Sequence, residues 1–226
     1  VTDQILNNYL SPSVLDAGDN VSNNDNDITD GDNNYTTMEH KWDEAYGYLF
    51  GGVAQENQAD PLPSIGQNDS FLNKYVGKTN SDSDFEGIAQ EIFDAFKLGR
   101  AAIVGKDYDV RNTQAAILQE KISQVIAIRA VYYLQTGKLS IESGNFGAAF
   151  HDLSEGYGFL TSLRFTRDTQ TGTSIFTRSE VGSFISELMS DGPNGLWDVT
   201  PATLDTISEQ IASKFDFTVA QAASSN

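Results

Sequence analysis

A ten-residue stretch that begins with histidine occurs twice in the chain. The two copies cover residues 40–49 and 151–160, at a constant offset of 111 residues. Each copy places a glutamate four residues after its histidine, as in His40 and Glu44. Residues four apart lie on the same face of a helix. Since the chain contains only two histidines, a functional prediction has to start from this repeat.

The repeated residues are suitable metal ligands. Imidazole nitrogen and carboxylate oxygen bind Zn²⁺, iron or Mn²⁺, and two such helices facing each other would supply four to six ligands, as in metal-binding bundle cores. The predicted ligands, with iron or zinc as the ion, are His40, Asp43, Glu44, His151 and Glu155. Alternatively, His40 and a neighbouring carboxylate could form a hydrogen-bonded pair for proton transfer.

The same repeat could serve packing alone. Gly47 and Gly158 fall in the middle of the two predicted helices, where glycine costs about 1 kcal/mol relative to alanine. Close approach of another helix or loop would explain both glycines. In this interpretation Trp42, Tyr46 and their counterparts are core aromatics, and the His–Glu pair is a buried polar contact that fixes helix register.

An acidic stretch before the first copy offers oxygen ligands for a hard cation. Weak calcium binding is the candidate function for Asp25, Asp27, Asp30 and Asp32. The EF-hand pattern is not met, because the spacing before Gly31 is wrong and no glutamate follows at the required distance. The alternative is a plain solvated loop.

Composition excludes several classes of function. The 226 residues carry a formal charge of −18 and no cysteine, so a nucleic-acid partner is not expected and thiolate chemistry is impossible. No apolar run reaches the roughly 18–20 residues that span a bilayer. A metal ion or a small ligand is the expected partner, and a protein partner cannot be named. Because the chain begins at Val1, we interpret it as a processed or trimmed product.

Hydrophobic periodicity and capping residues predict helices over most of the chain. Thr36 and Glu39 form a predicted capping box for the first copy, and Asn145 is the predicted cap of the second. Gly137 is the expected end of a long helix over 110–136, in which Arg129 interrupts an apolar stripe. The remaining predictions are a helix over 84–103 capped by Ser83 and Glu86 and ended by Gly105, helices around 2–10, 71–76, 181–188 and 201–215, loops over 16–34 and 53–70, a loop or hairpin over 164–178, and a loose tail over 218–226.

The fold class that follows is all-α. Duplicated helices at a fixed offset suggest two similar halves, packed as helical bundles about a pseudo-twofold axis. We place the first half at residues 1–105, N-terminally truncated if a segment has been lost, and the second at 106–226.

The first copy, His-x-Trp-Asp-Glu-Ala-Tyr-Gly-Tyr, resembles the imelysin-like superfamily, and most closely an uncharacterised bacterial branch that carries this motif. The superfamily's Gly-x-His-x-x-Glu signature corresponds here to Met38, His40 and Asp43. The glycine is therefore replaced and the acid is shortened. The resemblance implies two four-helix bundles related by internal duplication, and an exported, often lipoprotein-like protein linked to iron uptake or other metal handling.

Three hypotheses about function result. The preferred one is a periplasmic or cell-surface binding protein for iron, another metal or a metal-containing ligand. The second is a metallopeptidase, since some imelysin-like proteins are described so, although His-Glu-x-x-His is absent from this sequence. The third is a non-catalytic interaction or scaffold protein in which the repeat serves packing.

Overall fold

The structure, a computed structural model, describes residues 1–224 and consists mainly of α-helices, as the sequence predicts. In chain order the helices are a π-helix (Gln4–Tyr9), α1 (Pro12–Leu15), α2 (Asn20–Asp25), α3 (Thr37–Phe50), α4 (Leu72–Asn80), α5 (Ile88–Val104), α6 (Tyr108–Glu142), α7 (Phe146–Ser162), α8 (Arg178–Met189), α9 (Pro201–Ala212) and α10 (Val219–Ser224). Short 3₁₀ turns lie at Gln55–Asn57, Leu62–Ser64, Leu163–Phe165 and Gly195–Trp197. Within the described residues, the strands are β1 (Arg167–Asp168) and β2 (Thr173–Ser174), an antiparallel hairpin. No helix in this part of the chain is both long and apolar enough to cross a bilayer.

The 35-residue helix α6 is the central element. It packs against α5 on one side and against α7, α9 and α10 on others. Every residue from Val125 to Val131 is buried, as expected for a helix that is surrounded by others. Arg129 points inward, and its guanidinium carbon lies 3.9 Å from the Tyr132 ring centroid and 5.0 Å from that of Tyr133. Stacking on aromatic faces stabilises this buried cation.

Most predicted helix caps are present. The backbone N–H of Glu39 donates to the Thr36 hydroxyl (3.3 Å), and the N–H of Thr36 donates to the Glu39 carboxylate (2.6 Å). Asn145 caps α7, Thr200 caps α9 before Pro201, and Gly105 follows the end of α5.

The predicted cap at Ser83 and Glu86 is wrong. Helix α5 begins only after Gly87, whose φ of +98° interrupts the helical backbone. Its first amides donate instead to the Asn80 side chain, which accepts from the N–H groups of Gly87 and Ala89 (both 3.1 Å).

Two segments that were predicted to be irregular, a loop and the C-terminal tail, contain helices. Helix α2 falls inside 16–34, where the Asn24 side chain donates to the carbonyl of Ile103 (2.8 Å). Helix α10 falls inside the predicted tail, where the side chain of Ala222 is completely buried and holds the segment against the core. Residues 225–226 of that tail lie outside the described residues. The hairpin option for 164–178 is confirmed.

The two copies of the repeat form α3 and α7, and they bury the same face. Equivalent positions at the 111-residue offset are buried in both helices: Met38 and Ala149, Trp42 and Leu153, Ala45 and Gly156, Leu49 and Leu160. At one of these positions each copy packs against a glycine of the adjacent helix. A Cβ on Gly99 of α5 would overlap the Trp42 indole, and one on Gly137 of α6 would come within 2.7 Å of Leu153.

These contacts correct two expectations about glycine. Gly137 does not end α6, which continues to Glu142, because the glycine is needed where Leu153 approaches the helix. Gly47 and Gly158 do not mark close approach, since no atom lies within 4 Å of the position that a Cβ would occupy.

The buried core runs as one cluster from Ile5 to Ala222. It therefore crosses the predicted boundary between residues 105 and 106, which coincides with the turn between α5 and α6. The division into halves stays a prediction.

We expect Gly99→Ala to lower the free energy of unfolding by about 1–3 kcal/mol, because the added methyl group would displace the buried Trp42 ring in a close-packed core. Gly158→Ala is the matched control. It should raise the free energy by up to about 1 kcal/mol, since its methyl group meets open space in a helix. Urea unfolding measures both, and equal shifts of the same sign would contradict the glycine contact.

Candidate functional site

His40 and Glu44 lie on a partly exposed flank of α3. His40 Nε2 is 3.8 Å from Glu44 Oε1, and the imidazole stacks on the Tyr35 ring with 5.1 Å between centroids. The Glu44 carboxylate also accepts from Lys41 Nζ (2.8 Å) and from the Tyr9 hydroxyl (3.3 Å). Burial, together with the adjacent Glu44 charge, raises the pKa of Tyr9. Glu44 is therefore already engaged by two protein donors.

Asp43 is on the other flank of α3, beside Arg100 of α5. The guanidinium donates from Nε to Asp43 (2.9 Å) and from Nη1 to Glu39 (2.7 Å). The capping residue of α3 thus also ties this helix to α5. Burial raises the pKa of the Asp43 carboxyl, and the Arg100 charge acts against that shift.

This flank of α3 borders a cavity of about 540 Å³, which we call the α3–α5 cavity. It is lined by Trp42, Asp43, Tyr46, Gln58, Ala59, Phe93, Phe96, Lys97 and Arg100. Its floor is aromatic: Tyr46 and Phe96 meet edge to face at 5.5 Å, and the Trp42 Nε1–H donates to the carbonyl of Phe96 (3.0 Å). Its rim is charged, with the Lys97 ammonium 5.2 Å from the Phe93 ring centroid.

Asp43 was predicted from the sequence as a site residue, whereas the α5 side of this cavity was not. Phe93, Phe96, Lys97 and Arg100 are spaced three, one and three residues apart, so they follow one flank of a helix. The signal available was a change from apolar to basic residues along that flank. His40 and Glu44 are not among the lining residues.

The second copy has a different environment. His151 is exposed on α7, and Glu155 accepts a hydrogen bond from the Tyr75 hydroxyl of α4 (3.2 Å). Burial, with hydrogen bonding to Tyr133 and Glu155, raises the pKa of Tyr75. Glu155 and Phe159 also line a cavity of about 580 Å³ beside α4. The second copy therefore has no counterpart of the Asp43–Arg100 pair.

The structure does not show the two copies sharing a cluster of ligands. Helix α3 packs on α5 and the π-helix, whereas α7 packs on α6 and α8. Across residues 1–224, no group of three or more histidine and acidic side chains is arranged to hold a metal. Metal binding by the five proposed ligands stays a prediction.

Protein contacts hold part of the predicted calcium loop. Lys106 Nζ donates to the Asp27 carboxylate (3.1 Å) and to the carbonyl of Asp25 (2.7 Å), while the Tyr108 hydroxyl donates to the Asp25 carboxylate (2.6 Å). These bonds tie the loop to the turn between α5 and α6. Calcium binding by Asp25, Asp27, Asp30 and Asp32 also stays a prediction.

By its fold the chain is an all-α protein built around one long central helix, and it has a cavity beside the first copy of the repeat. The chain belongs to the family described as Domain of unknown function (DUF4856), whose model matches residues 1–218. No curated protein and no solved structure matches the chain. The finer resemblance to imelysin-like proteins stays a prediction.

Metal analysis of protein purified without a histidine tag tests the five-ligand prediction. We expect iron and zinc well below one ion per chain, because Lys41 and Tyr9 already hold Glu44 and Arg100 holds Asp43. The control is His40→Ala, which should leave this content unchanged. One bound ion per chain, lost on His40→Ala, would show that the pairs rearrange to bind metal.

Proposed function

We propose that the protein is a non-catalytic, extracytoplasmic binding protein whose ligand occupies the α3–α5 cavity. The observation that supports this is the lining itself, since Trp42, Asp43 and Tyr46 of the first copy all contribute to it. A volume of about 540 Å³ is in the range of small-molecule sites, which combine apolar walls with a few polar groups.

The walls and the rim indicate the class of ligand. Aromatic rings bind flat apolar groups through stacking and edge-to-face contacts. Arg100 and Lys97 place two positive charges at the rim. Arg100 is engaged by Glu39 and Asp43, whereas Lys97 forms no ion pair within the described chain. We therefore propose an aromatic ligand whose anionic group pairs with the Lys97 ammonium.

Two finer proposals concern origin and location. The matched buried faces of α3 and α7 support an internal duplication that gave two pseudo-symmetric bundles. The imelysin-like resemblance, which rests on the motif around His40, supports a periplasmic or cell-surface location. It also suggests a metal-containing ligand as cargo, which would not require the five side chains to bind the metal directly.

Anilinonaphthalene sulfonate, an aromatic anion, is the probe for the cavity. In a Trp197→Phe background, Trp42 is the only tryptophan, so bound probe should quench its fluorescence in a saturable way with one site per chain. Ala59→Phe should weaken binding by about tenfold or more because the new ring would occupy the cavity. Lys97→Gln should weaken it several-fold.

Matched controls separate the cavity from general surface adsorption. Ala54→Phe adds the same ring at another exposed position, outside the lining, and should bind the probe normally. Phenylnaphthylamine lacks the sulfonate, so its affinity should not respond to Lys97→Gln. If Ala59→Phe and Ala54→Phe bind the probe equally well, the proposed site is wrong.

A further inference from the structure

A third cavity lies beside the β-hairpin. It measures about 580 Å³, and we call it the hairpin cavity. Helix α6 contributes Glu120 and Gln124, the hairpin contributes Arg167 and Ile175, and the segment after α9 contributes Phe215 and Asp216. The cavity lining therefore combines basic, acidic and apolar groups.

Arg167 has an unmet hydrogen-bonding requirement. Its backbone N–H donates to the Ser123 hydroxyl (2.9 Å), which fixes the start of β1. Its side-chain Nε is buried and has no hydrogen-bond partner in the described chain. An arginine donor removed from water without an acceptor is unfavourable. The two terminal Nη nitrogens are not buried and form no hydrogen bond within residues 1–224. A ligand carboxylate in the cavity would pair with them in the two-pronged geometry that arginine prefers.

The neighbouring charges on two walls are already committed. Asp168 accepts from the Thr171 hydroxyl (2.8 Å) and from the N–H of Gln170 (2.9 Å), and these bonds lower its pKa. Lys214 is paired with Glu180, whose pKa this contact lowers to about 2. Asp168 and Lys214 are therefore not available to pair with the other charged side chains of the cavity.

Two carboxylates of the lining remain available. Glu120 and Asp216 are exposed and form no hydrogen bond or ion pair within residues 1–224 through their side chains. Neither pairs with Arg167, although all three border one cavity. Opposite charges that share a cavity without meeting are complementary to a molecule that carries both signs.

We propose that the hairpin cavity binds a zwitterionic α-amino acid with an apolar side chain. Its carboxylate would pair with Arg167, its ammonium group would face Glu120 and Asp216, and its side chain would lie against Ile175 and Phe215. The proposal is independent of the α3–α5 cavity, with which this lining shares no residue.

Calorimetric titration with L-leucine and L-phenylalanine tests the proposal. At least one should bind in a saturable way, and both N-acetylation, which removes the ammonium, and amidation, which removes the carboxylate, should weaken its binding by about tenfold or more. Arg167→Gln should weaken it to a similar extent. Arg178→Gln, which changes an exposed arginine outside the cavity, should bind as the unaltered protein does.

Glu120→Gln provides a second variant, at an exposed side chain, if Arg167→Gln fails to fold as judged by circular dichroism. It should weaken binding of the amino acid and leave binding of the N-acetyl derivative unchanged. The proposal is overturned by absence of binding for both amino acids, by equal affinity for the N-acetyl derivative, or by folded Arg167→Gln protein with normal affinity.

Discussion

The contact between the Trp42 indole and Gly99 determines how the first copy of the repeat sits in the molecule. A glycine on α5 lets the largest side chain of α3 lie against helix backbone, and the indole N–H donates to the carbonyl of Phe96. With Trp42 held there, the helical period directs Asp43 toward Arg100 and Tyr46 toward Phe96. The contribution of α3 to the floor and the rim of the α3–α5 cavity follows from this contact.

Ion pairs between arginine and carboxylate side chains also connect the helices. Acidic residues far outnumber basic ones, so a basic side chain has many carboxylates with which it could form an ion pair. Arg100 joins two acids of α3 to α5, and Arg111 reaches back from α6 to Asp16 (2.7 Å). Lys97 and Arg167 differ, because neither has a carboxylate partner in the described part of the chain and each lines a cavity. For this reason, both proposed ligands carry an anionic group that would pair with Lys97 or with Arg167.

Local patterns predicted the elements better than their ends. Thr36 and Asn145 were identified as caps because a cap acts within its own turn of helix. Gly137 and Ser83 were misread because tertiary packing determines those positions: the first accommodates Leu153, and the second is superseded by Asn80. The spacing of His40 and Glu44 gave their separation on one helix correctly, but it contains no information about which helix α3 packs against. The α5 side of the cavity could not be assigned from sequence for that reason.

The outer faces of the two copies also show that a repeated sequence need not repeat its chemistry. Both copies keep histidine and glutamate, yet Glu44 is held by Lys41 and Tyr9, whereas Glu155 meets Tyr75 of α4. The differences between the copies matter more than these shared residues. Where the first has Trp42 and Asp43 the second has Leu153 and Ser154, so the second copy can bury an equivalent apolar side chain but cannot form a carboxylate–arginine rim. A function specific to the first copy therefore depends on positions that the repeat does not share, while the shared apolar positions maintain the packing of both helices.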